Sequence, residues 1–223
     1  MVIHYGTSRE EAEALAAELG GASVGGDLAD LAGIDSLFDR ACAAAGGPID
    51  ALVNSASAFE FDTAPAVDAG LFARLSATNA GAPVLLASAL ARQGIEDGAV
   101  VNLLDQKLAN LNPDFFSYTC AKAALAAATP MLAQALAPRI AVNAVSPGLT
   151  LPSADQTAAE FAAVASRNLL RRPVGADRVA DAVAFLLEAR GITGQTIHVD
   201  AGQRFVPSGR DVMFDRAREG IGG

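Results

Sequence analysis

Short apolar runs alternate along the chain with longer stretches in which apolar residues recur at helical spacing. The short runs predict strands at about 2–5, 22–25, 49–54, 99–104, 140–145 and 196–199. The longer stretches predict helices at about 8–19, 34–45, 69–93, 116–137 and 177–189, with a more variable helical stretch at 155–167. Strands that alternate with helices in this way are typical of a doubly wound parallel sheet with helices on both faces. The run at 49–54 is nearly continuous, which predicts a strand covered on both faces.

Local signals place the ends of several elements. Ser8 and Glu11 have the spacing of a capping box, which predicts that the first helix begins at Ser8. A Gly-Gly-Pro sequence at 46–48 ends the second helix, and Pro138 ends the long helix before it. We find neither a linker nor an internal repeat, so the elements predict a single α/β domain.

Composition and charge agree with one folded domain. The chain has 223 residues, of which 52% are hydrophobic and 18% are charged, so it is long and apolar enough to bury a core. Lysines and arginines number 16 against 25 acidic residues, which gives a net charge of −9, and no basic run occurs. Because nucleic-acid binding needs a basic face, we expect no nucleic-acid partner. Small anionic ligands are not excluded, because local geometry can bind them on an acidic protein.

The sequence also lacks the patterns of membrane, disulfide and metal chemistry. The longest uncharged stretches, 75–91 and 123–138, contain proline and polar residues and are too short to span a bilayer. The first residues lack the basic and apolar regions of a signal peptide. Two cysteines form no disulfide framework, and two histidines without ligand spacing argue against a metal. We therefore expect a cytoplasmic protein with no metal site and no membrane partner.

Polar and small residues follow the predicted strands directly. Ligands of such sheets bind at the carboxyl ends of the strands, so these residues are the candidates for a binding site. They are Tyr5, Gly6, Thr7, Ser8, Asp27, Leu28, Asn54, Ser55, Ala56, Ser57, Asp105, Ser146, Pro147, Gly148 and Leu149.

A tyrosine and a lysine lie four residues apart on the long helix. This spacing puts Tyr118 and Lys122 on one face. A free tyrosine has a pKa of about 10, and a neighbouring ammonium lowers that pKa by favouring the phenolate. The pair therefore predicts a proton donor to a carbonyl or an imine. The alternative is an amphipathic Tyr and Lys on the helix surface.

These motifs together resemble the short-chain dehydrogenase/reductase family, in order and in spacing, over residues 1–205. The matching pieces are Asp27-Leu28, the segment at 54–57, Asn79, Tyr118-x-x-x-Lys122, Asn143, Pro147-Gly148 and a closing segment at 194–202 that begins Gly-Gln-Thr. The resemblance implies a Rossmann-like fold of three layers, α/β/α, and an NAD(P)-dependent oxidoreductase. It also implies a small-molecule substrate and a homo-oligomer, either a dimer or a tetramer.

The resemblance assigns roles to four residues. It implies that Tyr118 is the acid and that Lys122 lowers the pKa of Tyr118 and holds the nicotinamide ribose. It implies that Asn79 anchors a proton-relay water. The fourth catalytic position, which is usually Ser in the family, falls on Asp105.

The aspartate at this position is similar to the pteridine reductase branch of the family. That branch has an Asn-Ala-Ser-x-Phe type of segment after its fourth strand, and here the segment ends at Ser57 and Phe59. The resemblance implies that Phe59 stacks on a pterin ring, that Ser57 contacts cofactor or substrate, and that Asp105 contacts the substrate. The alternatives are a plain core aromatic for Phe59 and a capping or ion-pairing role for Asp105.

The cofactor preference is predicted from the end of the first strand in this chain. An acidic residue there would bind the 2′-hydroxyl of NAD and repel a 2′-phosphate. Instead, Thr7, Ser8 and Arg9 bring two hydroxyls, a helix N-terminus and a guanidinium, which favours NADPH. The predicted cofactor-binding residues are Tyr5, Thr7, Ser8, Asp27, Leu28, Asn54, Ala56, Ser57, Lys122, Pro147, Gly148 and Leu149.

The glycine-rich turn with which the family begins does not occur in this sequence. Residue 1 falls at the family's second strand, so roughly 30 residues of one β-α unit are missing from the pattern. Because that first strand is normally central, we expect residues 1–25 to be separated from the rest of the sheet and to leave open edges. We favour a start site placed too late over a cut chain or a degenerate relative, and we expect weak NADPH binding without this unit.

The domain assignment follows from this pattern. We expect an N-terminally incomplete oxidoreductase domain at 1–204 and a C-terminal tail at 205–223, which is either frayed or an arm that contacts another subunit. The leading function is NADPH-dependent reduction of a pteridine. Alternatives are a carbonyl or 3-oxoacyl reductase of the same family, and a non-catalytic or inactive relative. An enoyl reductase is disfavoured, because those enzymes usually space the tyrosine and lysine more widely.

Overall fold

Parallel strands and α-helices alternate through the computed structural model, which describes residues 1–152 and 157–217. The strands are β1 (Val2–Tyr5), β2 (Ala22–Gly25), β3 (Ala51–Asn54), β4 (Gly98–Leu103), β5 (Ile140–Pro147) and β6 (Thr196–Val199). The helices are α1 (Arg9–Glu18), α2 (Ile34–Ala45), α3 (Ala69–Ser76), α4 (Ala82–Arg92), α5 (Phe116–Leu136), α6 (Ala158–Ala165) and α7 (Ala176–Glu188). The helix predicted at 155–167 is partly confirmed as α6; residues 153–156 lie outside the described part of the chain.

The strands form two sheets. β1 pairs with β2, and β3, β4, β5 and β6 form a four-stranded sheet in that order; every described pairing is parallel. No hydrogen bond of the described ladders joins β2 to β3, which confirms the expected separation of residues 1–25 from the larger sheet. Helix α2 connects the two sheets, because Leu37 and Ile34 pack with Val24 of β2 and Phe38 packs with Val100 of β4.

Helices cover both faces of the four-stranded sheet. On one face, Phe38 of α2 and Leu90 of α4 pack against Val100 and Val142 of the sheet. On the other face, Leu186 of α7 packs against strand residues of β4 and β5. The predicted three-layer α/β/α architecture is confirmed, and the core lies on both sides of β4 and β5.

The prediction that β3 is covered on both faces is wrong. Val53 is 41% exposed, although its register partner Val101 on β4 is fully buried. Helix α7 packs over β4, β5 and β6, and no described element covers the same face of β3. An apolar run therefore does not prove two-sided burial when the strand lies at a sheet edge.

Two local predictions about helices also need correction. The predicted helix at 69–93 is interrupted by a π-helical turn, Ala77–Gly81, which carries Asn79. Ser8 lies at the N-cap of α1, but its hydroxyl makes no capping hydrogen bond to the described backbone. The backbone of Ser8, at φ −82° and ψ 64°, lies outside the extended conformation in which a capping side chain usually reaches the helix N–H groups.

The beginning of the C-terminal tail packs against the protein. The Asn110 side chain donates a hydrogen bond to the Val206 carbonyl at 2.9 Å, and Lys107 forms an ion pair with Asp211 at 3.1 Å. The alternative of a frayed tail is therefore wrong for residues 205–214. Within residues 1–152 and 157–217, no helix is long and apolar enough to cross a membrane.

Candidate active site

A cavity lies at the carboxyl ends of β1, β2 and β3. It has a volume of about 530 Å³ and brings together most residues that the sequence predicted for cofactor binding. The predicted residues that line it are Tyr5, Thr7, Ser8, Asp27, Leu28, Ala56 and Ser57. Asn54, Lys122, Pro147, Gly148 and Leu149 lie outside this lining.

The hydroxyl groups at the start of α1 are free to bind a ligand. The side chains of Thr7 and Ser8 make no hydrogen bond to any described residue, and both line the cavity at the N-terminus of α1. Arg9 is exposed and pairs with Glu13 at 2.7 Å. Unpaired hydroxyls and helix N–H groups together favour an anion at this end of the cavity.

Tyr118 and Asp105 form a hydrogen-bonded pair that is partly buried. Asp105 follows β4, and Tyr118 lies in the first turn of α5, where its hydroxyl donates to Asp105 Oδ2 at 2.8 Å. The other carboxylate oxygen of Asp105 accepts the Lys107 N–H at 2.8 Å. Burial is the main cause that raises the pKa of Tyr118 well above its usual value, and the Asp105 charge raises it further. Burial also raises the pKa of Asp105.

The prediction that Lys122 lowers the pKa of Tyr118 is not confirmed. The Lys122 ammonium lies 5.9 Å from the Tyr118 ring centre and donates instead to the Leu103 carbonyl at 2.8 Å. Burial lowers the pKa of Lys122 itself to about 8. Since Asp105 and burial both disfavour the phenolate, Tyr118 stays a neutral phenol, which is the form that can donate a proton.

The helix that carries Tyr118 is anchored at its N-terminus by a distant aspartate. Asp62 accepts hydrogen bonds from both the backbone N–H and the hydroxyl of Ser117, and it is buried. Sequence reasoning missed Asp62, because a cap supplied from 55 residues away leaves no local spacing to detect.

Asn79 organises the segment that leads to Phe59. Its side-chain oxygen accepts from the Ser57 hydroxyl at 2.8 Å and from the Ala58 N–H at 3.2 Å, and its nitrogen donates to the Ala58 carbonyl at 2.8 Å. The π-helical turn places this buried amide beside the loop, and such turns are frequent at functional sites. The role of Asn79 in a water relay stays a prediction.

Phe59 is not a core aromatic. It is 48% exposed, it stacks on Phe115 with ring centres 4.1 Å apart, and it meets the Tyr118 ring edge-on at 4.7 Å. An exposed aromatic ring therefore adjoins the Tyr118–Asp105 pair. This arrangement favours a flat, ring-shaped ligand next to the proton donor.

The remaining predicted residues have structural contacts. Asn54 is buried and donates to Asn102 on the neighbouring strand at 2.8 Å. After Pro147, a Cβ on Gly148 would approach the backbone Cα of Asp200 to 2.9 Å, so this close approach requires glycine. The Leu149 N–H donates to Gln203 Oε1 at 3.0 Å, which fixes the loop after β5. Gln203 had no signal in the sequence.

The parallel sheet with helices on both faces is a Rossmann-like fold, and Tyr118 and Asp105 are hydrogen-bonded beyond the end of β4. A model of one enzyme family, described as "Enoyl-(Acyl carrier protein) reductase", matches residues 1–204. The chain belongs to the short-chain dehydrogenase/reductase family.

Three similar proteins support this family assignment. The crystal structure of FolM alternative dihydrofolate reductase 1 from Brucella suis, in complex with NADP, is 42% identical with a TM-score of 0.86, covering 93% of this chain and 85% of that chain. NADPH-dependent aldehyde reductase 2, chloroplastic, of Arabidopsis thaliana is 32% identical over 91% of this chain and 84% of that protein. Dihydromonapterin reductase of Enterobacter sp. (strain 638) is 27% identical over 69% of this chain and 65% of that protein.

Proposed function

We propose that this protein reduces a dihydropterin-type pteridine with NADPH and that Tyr118 donates the proton. The observation that carries the proposal is the 2.8 Å hydrogen bond between Tyr118 and Asp105 beside the exposed ring of Phe59. It joins a proton donor, a carboxyl group and a stacking surface, which are the groups that a nitrogen-rich flat ring needs. The similar proteins from Brucella suis and Enterobacter are named as reductases of dihydrofolate and dihydromonapterin.

The cavity residues fit the 2′-phosphate end of a phosphorylated dinucleotide, while the sequence holds no glycine-rich turn for its pyrophosphate. The free hydroxyls of Thr7 and Ser8 and the N-terminus of α1 would hold the 2′-phosphate. No acidic residue stands between β1 and Glu10 to repel it, and Glu11 also lines the cavity. Asp27, Leu28, Ala56 and Ser57 would line the rest of the nucleotide, with Lys122, Asn54 and the residues at 147–149 as further candidates. When bound, NADPH supplies a hydride to the carbon of a C=N bond.

The protein's own groups supply the proton and hold the ring. Tyr118 transfers its phenolic proton to the nitrogen of that bond, so the substrate gains one hydride and one proton in total. The Asp105 carboxyl accepts a hydrogen bond from a ring N–H or amino group, which orients the ring against Phe59. Lys122 is charged below about pH 8 and lies one helical turn after Tyr118, where its ammonium would hold the nicotinamide ribose.

The stacking role of Phe59 gives the direct test of this function. The full-length protein should oxidise NADPH in the presence of a dihydropterin. Phe59→Ala should raise the KM for the dihydropterin by about 3- to 10-fold, as expected for the loss of one aromatic stack, and should leave a small aldehyde unaffected. Phe185→Ala is the matched control, because Phe185 is similarly exposed at 53% but lies on α7. Absence of dihydropterin turnover in the unmodified protein would refute the proposed function.

Replacement of Ser8 tests the cofactor preference. Ser8→Asp should weaken NADPH binding by about 10- to 100-fold, because it removes a hydroxyl donor and places a negative charge beside the 2′-phosphate. NADH binding should be unchanged or tighter, since a carboxylate can accept from a 2′-hydroxyl. The melting temperature should not fall, because aspartate is a good N-cap residue. Ser36→Asp adds the same charge on α2 as a control; equal NADPH affinity in both variants would contradict the assignment.

A carbonyl or 3-oxoacyl reductase is the second candidate. The Arabidopsis relative is named as an aldehyde reductase, and the Tyr118–Lys122 pair serves either a carbonyl or an imine. In that case the loss caused by Phe59→Ala would be equal for the aldehyde and the dihydropterin.

We also propose a domain organisation, an oligomeric state and a cellular location for the protein. We place the oxidoreductase domain at residues 1–204, followed by a tail, in a cytoplasmic homo-oligomer. Cys42 and Cys120 are both free thiols, which supports a reducing compartment. Light scattering of the purified protein measures the oligomeric state.

A further inference from the structure

The first part of the tail is tied to the loop that carries Asp105. Asp114 is 1% exposed, and its Oδ2 accepts from Arg210 Nε at 2.7 Å and from the Asp211 N–H at 2.8 Å. Lys107, also buried, donates to the Asp114 carbonyl at 2.7 Å and to the Asp211 carboxylate at 3.1 Å. The Arg210 side chain is 54% exposed, whereas both side chains of the Lys107–Asp211 pair are largely buried. A buried ion pair is costly to break, because the remaining charge loses its partner.

These contacts hold an aromatic surface together. Phe214 of the tail meets Phe61 edge-on at 5.0 Å and lies nearly parallel to Phe115 at 6.1 Å, while Phe115 stacks on Phe59. The Arg210 guanidinium also lies 5.1 Å from the Phe214 ring centre. A continuous row of four rings therefore runs from the tail to Tyr118.

Phe115 has a backbone conformation that a bulky residue rarely adopts. Its φ of 52° and ψ of 51° lie in the left-handed region, and it is 3% exposed. A strained backbone conformation of this kind persists only where many surrounding contacts hold the residue in place, and such residues cluster at ligand sites. Here the Lys107 ammonium, 5.3 Å from the Phe115 ring centre, and the neighbouring Asp114 supply that constraint.

We propose that the tail segment Arg210–Phe214 completes the substrate site and selects for a flat ring, with Arg210 and Asp114 as positioning residues for the aromatic surface. The inference rests on the proposed function and names the part of the molecule that sets its substrate class. Lys107 links the tail to Asp105, because its backbone N–H donates to the Asp105 carboxylate while its side chain binds Asp211 of the tail. The tail thus holds the stacking surface and the carboxyl group in one arrangement.

The test compares a dihydropterin with a small aldehyde as substrates of the full-length protein with NADPH. Phe214→Ala and Arg210→Met should each raise the KM for the dihydropterin by about 3- to 10-fold, with kcat and the aldehyde kinetics nearly unchanged. Arg210→Lys, which keeps the positive charge, should restore most of the affinity. The double variant should be no worse than Phe214→Ala alone, because both changes disturb the same surface.

Two controls separate selectivity from stability. Arg92→Met removes an exposed arginine that pairs with Asp35, and Phe185→Ala removes an exposed ring on α7; neither should change the KM. Calorimetric measurement of dihydropterin binding distinguishes failure of the proposed function from failure of the proposed role of the tail. If the unmodified protein neither binds nor reduces it, the proposed function fails. If the unmodified protein does both, and Phe214→Ala changes both substrates equally or neither, only the role of the tail is overturned.

Discussion

Tyr118→Phe is expected to lower kcat by about 10²-fold or more, which is the usual scale of general acid catalysis. The substitution removes the hydroxyl that donates to Asp105 and leaves the ring that Phe59 contacts edge-on. The KM values for substrate and cofactor should change little, because the ring surface is unchanged. Steady-state kinetics with NADPH and a dihydropterin measure the effect.

Thr119→Val is the matched control for this prediction. Thr119 is the next residue on α5, its buried hydroxyl donates to the Phe115 carbonyl at 2.8 Å, and its removal should leave kcat within a few-fold of the unmodified protein. The rate of the unmodified protein should also fall as the pH rises through about 8, where Lys122 loses its charge. A Tyr118→Phe variant with nearly normal turnover would exclude Tyr118 as the acid.

The parts of the fold that were predicted correctly are marked by short sequence patterns within the elements themselves. Helix α2 ends where the sequence indicates, because Gly46 adopts the left-handed conformation, with φ of 78°, that a helix C-terminus favours. The site residues Tyr118 and Asp105 were predicted from helical spacing and from the position after a strand. Residues four apart on a helix share one face, and residues that follow parallel strands lie at one edge of the sheet. Both rules apply without knowledge of distant contacts.

The parts that were missed depend on contacts between distant residues. The tail binds the loop at 107–115 through charges about 100 positions away in the sequence, and neither segment has a periodicity that predicts this contact. The π-helical turn that carries Asn79 is a single turn within a longer helical stretch. The apolar pattern of 69–93 does not reveal a change of this length.

The pKa of Tyr118 also depends on tertiary contacts that the spacing does not reveal. The spacing of Tyr118 and Lys122 indicates that they share a helix face, but not that the ammonium binds the Leu103 carbonyl. Burial and the bond to Asp105 then decide the pKa, and both act through the tertiary structure. The consequence is a site in which burial, together with the Asp105 carboxyl group, keeps the proton donor neutral.

Asp105 has two roles in the structure that one substitution can separate. It caps the 3₁₀ turn Gln106–Ala109 through the Lys107 N–H, as the capping alternative predicted, and it also accepts from Tyr118. Serine can serve as a cap but cannot provide the second acceptor oxygen or a carboxyl proton. Asp105→Ser therefore preserves the turn while it removes the carboxyl chemistry.

We expect Asp105→Ser to lower kcat/KM for a dihydropterin by about 10- to 100-fold, which corresponds to one lost hydrogen bond with a charged partner. The aldehyde should lose only a few-fold, because a serine hydroxyl can still hydrogen-bond Tyr118 and polarise a carbonyl oxygen. Asp105→Ala is the comparison, since it loses both the cap and the acceptor and should also lower the melting temperature. Equal losses on the two substrates in Asp105→Ser would show that the carboxyl group orients Tyr118 alone, and the carbonyl-reductase assignment would then be preferred.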